Sequence, residues 1–264
     1  MHQFDRDIAL EQQADRLFSA TVTPNWSVNN NPDGGYLMAM MANAVLQHAE
    51  KQWITIFTAN FVSRCVPGEA DLSVAPLGAS ARFERWQASL EREGDKKVFA
   101  MCTLTDPGAG DAEIRYEDPP PVLASRQDCV EFPVIPGYTL FHQMDVRLDP
   151  ACAGWLTTGN LSDVSEQKGW IRFKNDRPFD MLSVLLATDA FPPAVLASHG
   201  MVAWVPTLEM SVNIRRLPSS PWLKCAFRSR FVHNGIVEED GQIWDEDDHL
   251  VAVSRQIAQF RKSV

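Results

Sequence analysis

Three side chains of different chemistry stand out in the sequence: Asp189, Thr207 and Gln256. Asp189 lies near the end of Phe179-Asp180-Met181-Leu182-Ser183-Val184-Leu185-Leu186-Ala187-Thr188-Asp189-Ala190-Phe191, a run that is apolar almost all the way round. A helix without a polar face is a buried helix, and a carboxylate on it is costly unless polar groups meet it. Downstream, Thr207 falls in Trp204-Val205-Pro206-Thr207-Leu208-Glu209 and Gln256 in Val253-Ser254-Arg255-Gln256-Ile257-Ala258, both strand-like. A carboxylate, a hydroxyl and an amide brought together can orient one water against a carbonyl, which is hydrolytic chemistry. Each also has a plain structural reading. Asp189 can anchor the helix end before Phe191-Pro192-Pro193, Thr207 can be an ordinary strand residue, and Gln256 an exposed one.

The elements that must bring these residues together form two similar series. Residues 106–136 are dense in proline and glycine, with Asp106-Pro107-Gly108-Ala109-Gly110 and Asp118-Pro119-Pro120-Pro121, so regular structure is broken there. This predicts an N-terminal unit over 1–118, a linker over 119–135 and a C-terminal unit over 136–264 that carries the three residues. In the first unit, Gly34-Gly35-Tyr36-Leu37-Met38-Ala39-Met40-Met41-Ala42-Asn43-Ala44-Val45-Leu46 predicts an apolar helix, with Asp33 as its N-cap. Strands are expected over 53–62, 70–76, 79–91 and 98–105. In the second unit an apolar helix over 180–190 is followed by strands over 205–214, 222–231, 241–245 and 250–260.

The units overlay weakly. Arg64 and Pro67 recur as Arg215 and Pro218 at one offset (215 − 64 = 151, 218 − 67 = 151), and Val98 faces Val251 at a slightly larger one (251 − 98 = 153). These offsets place Thr207 opposite Ile56 and Gln256 opposite Thr103, and no carboxylate interrupts residues 36–47. The polar trio therefore belongs to the second unit alone. A duplicated helix-plus-strands unit predicts an α+β fold in which two sheets join edges and remove exposed strand ends.

Composition narrows the function classes. The chain has 264 residues, 45% of them hydrophobic, and no apolar stretch as long as a membrane span. Its formal net charge of −10 opposes nonspecific binding to nucleic acid or an anionic membrane. The N-terminal residues, Met1-His2-Gln3-Phe4-Asp5-Arg6-Asp7, are polar and charged, so a cytoplasmic location is the default expectation. Arg215, Arg216, Lys224, Arg228 and Arg230 concentrate positive charge, as a solvated sheet face or as a phosphate clamp. The five scattered cysteines never form C-x-x-C, which argues against a metal centre or a disulfide framework. There is no G-x-S-x-G nucleophile motif and no dinucleotide fingerprint.

Taken together, Asn31-Pro32-Asp33-Gly34-Gly35-Tyr36-Leu37-Met38-Ala39, Ala187-Thr188-Asp189-Ala190-Phe191, Val205-Pro206-Thr207-Leu208-Glu209 and Ser254-Arg255-Gln256 resemble the acyl-CoA thioesterase II family. The resemblance spans nearly the whole chain and is strongest over 179–260. It implies a double hotdog fold, with two long central helices each wrapped by half of a continuous antiparallel sheet. It also implies hydrolysis of acyl-CoA or a related acyl thioester in fatty acid metabolism, no metal or other cofactor, and a homo-oligomer. The family's catalytic Asp, Thr and Gln carry over to Asp189, Thr207 and Gln256. Two departures leave acyl specificity open: Ile257-Ala258 follow the glutamine where the family has Glu-Gly, and Leu208-Glu209-Met210 replace an Asp-His.

Thioester hydrolysis needs a water aimed at the carbonyl carbon and a donor aimed at its oxygen. Asp189 suits the first task, with Thr207 and Gln256 orienting the water. A backbone N–H at a helix start suits the second, and the glycine-bearing start Gly34-Gly35-Tyr36 is the expected substrate-binding segment. Two other classes are compatible with such a scaffold. One is a non-catalytic acyl-CoA- or lipid-binding protein, marked by tight binding without thiol release. The other is a dehydratase, for which His199 is the nearest histidine.

Overall fold

A computed structural model describes residues 1–108 and 114–262. Ala109 and Gly110 of the proline- and glycine-dense stretch lie outside the described residues. A 14-stranded antiparallel sheet runs through the whole molecule. From one edge its order is Glu11–Ala14, Leu17–Val22, Gly68–Ala79, Glu84–Arg92, Asp95–Thr105 and Trp53–Phe61, at which point the halves meet. It continues through Thr207–Ile214, Leu250–Gln259, Ile236–Asp245, Leu223–Ser229, Ser165–Phe173, Met144–Leu148 and Val130–Glu131, and the fourteenth strand, Val232–His233, pairs with Ile236–Asp245 off this path.

The seam sets the symmetry. Trp53–Phe61 pairs with Thr207–Ile214, with Thr58 opposite Ser211 and their hydroxyls 2.9 Å apart. On either side Phe57 faces Val212 and Ala59 faces Met210, so a rotation about the Thr58–Ser211 pair exchanges the halves. The register then identifies true counterparts. Cys102 pairs with Phe57 as Gln256 pairs with Met210. Ile54 pairs with Leu104 beside a bulge, as Thr207 pairs with Ala258 beside another. Thr207 and Gln256 therefore correspond to Ile54 and Cys102, correcting Ile56 and Thr103. The bulges and unequal turns shift the register, so no constant sequence offset can track it.

Two helices fill the concave side. Gly34–Leu46 (13 residues) is buried nearly all round, as its apolar sequence requires. Asp33 caps it, accepting the Tyr36 N–H at 3.0 Å. The second helix, Met181–Ala187, has 7 residues, so the expectation of two long helices holds for the first alone. It begins with Asp180 and Ser183 in a capping box. It ends because Thr188 turns its hydroxyl back to the Leu185 carbonyl (2.8 Å) and Pro192 and Pro193 cannot donate to another turn. The helices touch closely, and a Cβ on Gly35 would lie 2.5 Å from the Leu185 carbonyl oxygen.

The segment before the second unit's strands is tied down. Ala124 donates to Asp149 at 2.7 Å and receives the Trp170 indole N–H at 3.0 Å, while Arg126 lies over the Trp170 and Trp222 rings. Lys224 and Arg230, part of the cationic concentration, are each paired with an acid, Asp248 and Asp240. All five cysteines are free, four of them buried. Among the described residues no helix is long and apolar enough to cross a membrane.

Candidate active site

A cavity of about 1030 Å³ opens where the start of the first helix meets the end of the second. Asp189, Thr207, Gln256 and Gly34 all line it. Alternation aims the strand residues there. On Leu250–Gln259 the positions Ala252, Ser254 and Ala258 are buried and Arg255 is exposed, so Gln256 faces inward with the even-numbered set. Its Nε2 donates to the Thr207 hydroxyl oxygen, which leaves the threonine's own proton available to a third partner.

Asp189 reaches the site from the other direction. Its N–H completes a last turn to the Leu186 carbonyl (3.1 Å) and its carboxylate extends to the first helix, where Oδ2 accepts the Gly35 N–H at 3.1 Å. This is favourable twice over, since a helix start presents unpaired N–H groups and a positive dipole end. The glycines make the approach possible: a Cβ on Gly34 would sit 2.7 Å from Asp189 Oδ2 and 2.8 Å from the Phe61 ring. Burial pushes the Asp189 carboxyl up to about 6, while the Gly35 and Gly34 amides pull it back. Asp33, on the same helix start, is held well above the usual carboxylate range by burial and by the charge of Asp189. The sequence leaves the sign of the Asp189 shift open; in the fold, desolvation wins over the two hydrogen bonds.

The expected substrate-binding segment is revised in two respects. The Gly35 amide is engaged by Asp189, so it supports the carboxylate rather than standing open to a carbonyl oxygen. Tyr36 points away from the cavity: it is fully buried, its hydroxyl donates to the Asp7 carbonyl (2.8 Å) and accepts the Thr23 N–H (3.2 Å). A helical residue two places past the first glycine lies on the far side of the helix from it. His199 bonds Ser198 and packs edge-on against Phe260 (5.4 Å).

Apolar walls complete the cavity, with Phe61, Trp155, Phe191 and Trp204 among them and Arg64 and Arg261 also contributing. One polar residue in it has no sequence signal, Glu239, whose Oε2 accepts the Ala194 N–H at 2.5 Å. Its run, Val237-Glu238-Glu239-Asp240-Gly241, holds three consecutive acids ahead of the expected strand, and the strand expected to begin at Gly241 begins at Ile236.

Comparison with known proteins agrees with this architecture. The family model for the N-terminal domain of acyl-CoA thioesterases matches residues 22–105, and that for the C-terminal domain matches residues 119–260. The chain belongs to the acyl-CoA thioesterase family. An uncharacterised protein of Mycobacterium bovis is 24% identical, over 94% of this chain and 90% of its own. Among solved structures, a hotdog-fold protein of unknown function from Alicyclobacillus acidocaldarius superposes with a TM-score of 0.90 at 19% identity, covering 100% of both chains. An acyl-CoA thioesterase II from Mycobacterium marinum gives 0.76 at 14% identity, covering 98% of both. At these identities the likeness concerns the hotdog fold.

Proposed function

We propose that the protein is a double hotdog thioester hydrolase acting on acyl-CoA or a related acyl thioester by attack of an activated water. Its units are residues 1–118 and 136–264, joined through 119–135. Asp189 takes the proton from the water as its oxygen bonds to the thioester carbonyl carbon. Thr207 and Gln256 orient that water, and the second N–H of the Gln256 amide serves the carbonyl oxygen as it gains charge. Collapse of the adduct breaks the C–S bond, the departing sulfur takes the proton held by Asp189, and a carboxylic acid and a free thiol leave. An Asp189 carboxyl held up to about 6 is ionised at neutral pH, yet is a better proton acceptor than an ordinary aspartate.

The observation that carries this reading is the asymmetry between halves. Thr207 and Gln256 sit where the first half has Ile54 and Cys102, both buried. Counting from the two N-caps, Asp189 falls where the first half has Ala42 (189 − 180 = 42 − 33). The fold closes without the polar trio on one side, so its presence on the other side serves something besides folding. The cavity's apolar walls suit an acyl chain, and its volume is that of a small-molecule site. The test is a panel of acyl-CoAs of increasing chain length with a thiol-detecting reagent. Release of free thiol on at least one member, proportional to protein, is the expected result. Tight binding across the panel without thiol release would replace the enzyme by an acyl-binding protein.

A further inference from the structure

The acidic run on Ile236–Asp245 is divided by strand alternation. Glu238 and Asp240 face one way: Glu238 accepts the N–H groups of Arg230 (2.8 Å) and Phe231 (2.9 Å), and Asp240 is held by Arg255 (2.7 Å) and Arg230 (2.9 Å). Glu239 faces the other way, into the cavity, directly opposite Gln256 in the ladder. Its bond to Ala194 is informative because Pro192 and Pro193 carry no N–H. Ala194 is thus the first backbone donor after Phe191 in the chain leaving Asp189. The register also gives Glu239 a counterpart: Trp86 pairs with Cys102 as Glu239 pairs with Gln256. Trp86 is core, 4% exposed. A fourth polar residue of the cavity therefore occupies a position that the other half fills with a large apolar side chain.

We propose that Glu239 is a positioning residue of this site: its carboxyl ties the chain that leaves Asp189 to the strand pair that carries Gln256, and so fixes the carboxylate relative to Thr207 and Gln256. The proposal rests on the thioesterase reading above. Burial pushes the Glu239 carboxyl up to about 8, and the charge of Asp189 adds to this against the pull of the Ala194 N–H. The charged and titratable groups around it are Asp189 at the end of the second helix, Asp33 at the start of the first, and Glu238 and Asp240 on its own strand. Arg64, Cys65 and Arg261 contribute to the same cavity. With its carboxyl pushed up to about 8, Glu239 is mostly the uncharged acid at neutral pH. When it ionises, a second negative charge enters the cavity with Asp189, opposing the oxyanion of the adduct, and turnover falls.

The experiment compares wild type, Glu239→Gln and Glu239→Ala, with Asp189→Asn as a control, in kcat and KM for thiol release from about pH 5 to about pH 10. Glutamine keeps an oxygen to accept the Ala194 N–H but cannot ionise; alanine removes the tie. Glu239→Gln is expected to stay within about threefold of wild type at neutral pH and to lose the fall in kcat above about pH 8. Glu239→Ala is expected to lose about tenfold or more in kcat with KM within about threefold, the mark of a displaced catalytic group. The same alkaline fall in Glu239→Gln as in wild type, or a kcat for Glu239→Ala within about twofold of wild type, would overturn the proposal. If the alanine variant does not fold, the glutamine pH profile decides. Full turnover by Asp189→Asn would instead remove the site itself, whatever the Glu239 variants do.

Discussion

At the start of the first helix, Asp33 caps Tyr36 and two glycines follow. At the start of the second, Asp180 caps Ser183 and Met181 and Leu182 follow. The pseudo-dyad makes these equivalent places, yet one is an opening and the other is sealed. At the first, Gly34 and Gly35 leave room for Asp189, and the strand positions alongside carry Thr207, Gln256 and Glu239. At the second, the Met181 sulfur accepts the N–H of Ile54, the very residue that stands in for Thr207, at 3.3 Å. Arg177 closes that end, paired with Asp5 (2.7 Å) and Asp180 (2.5 Å) and lying over the rings of Phe4 and Phe173. The lesson is that this scaffold needs neither glycines at a helix start nor polar residues on the facing strands. Where both occur together, a cavity and a carboxylate follow.

The largest effect that would break the comparison comes from Asp189→Asn. It keeps the shape at the first helix start and removes the proposed base, and a loss of about a hundredfold or more in kcat is expected by thiol release. Gly34→Ala comes next. Its methyl would meet Asp189 Oδ2 at 2.7 Å and the Phe61 ring at 2.8 Å, displacing the carboxylate. We expect a loss of kcat of about tenfold or more with melting temperature little changed, whereas Gly35→Ala, against the Leu185 backbone, should cost about 1–3 kcal/mol of stability. Arg177→Ala tests the sealed end. It should lower stability by about 1–3 kcal/mol in chemical denaturation while kcat at the other end stays as in wild type.

The smallest effect is a pH dependence of stability. Glu239 is held above the ordinary glutamate value, up to about 8, so the folded state binds this proton more tightly than the unfolded chain. Its contribution is present at low pH and is lost as pH rises through about 8. Glu239→Gln should therefore lie closer to wild type in melting temperature near pH 5 and gain on it toward pH 9, since the amide has no charge to bury. A melting difference between the two that is flat across that range would contradict the assignment.

Much of this architecture is legible before folding. The Asp33 cap, the first apolar helix and the four strand-like segments in each half follow from capping chemistry and side-chain patterning. Other parts are hidden for physical reasons. Ser165–Phe173 contains Gly169, which reads as a break, but a Cβ there would lie 1.9 Å from the Arg147 carbonyl oxygen; glycine is what lets that strand lie close to its neighbour. Met144–Leu148 and Leu17–Val22 are too short for alternation to speak clearly. The second helix is shorter than its apolar run, because apolarity reports burial and not helicity. Asp189, Thr207 and Gln256 are visible as polar residues in apolar or strand-like settings. Glu239 is not, because which of three consecutive acids faces inward depends on a register that only the paired strand supplies.

The most direct test of an Asp189-activated water is a single turnover on the best thioester of the panel in water enriched in oxygen-18, with the released acid and the Asp189-bearing peptide both weighed by mass spectrometry. The account predicts one heavy oxygen in the acid from the first turnover and none in Asp189. Heavy oxygen in the Asp189 carboxylate together with unlabelled acid would mean that the side chain itself attacks the carbonyl, and would contradict it.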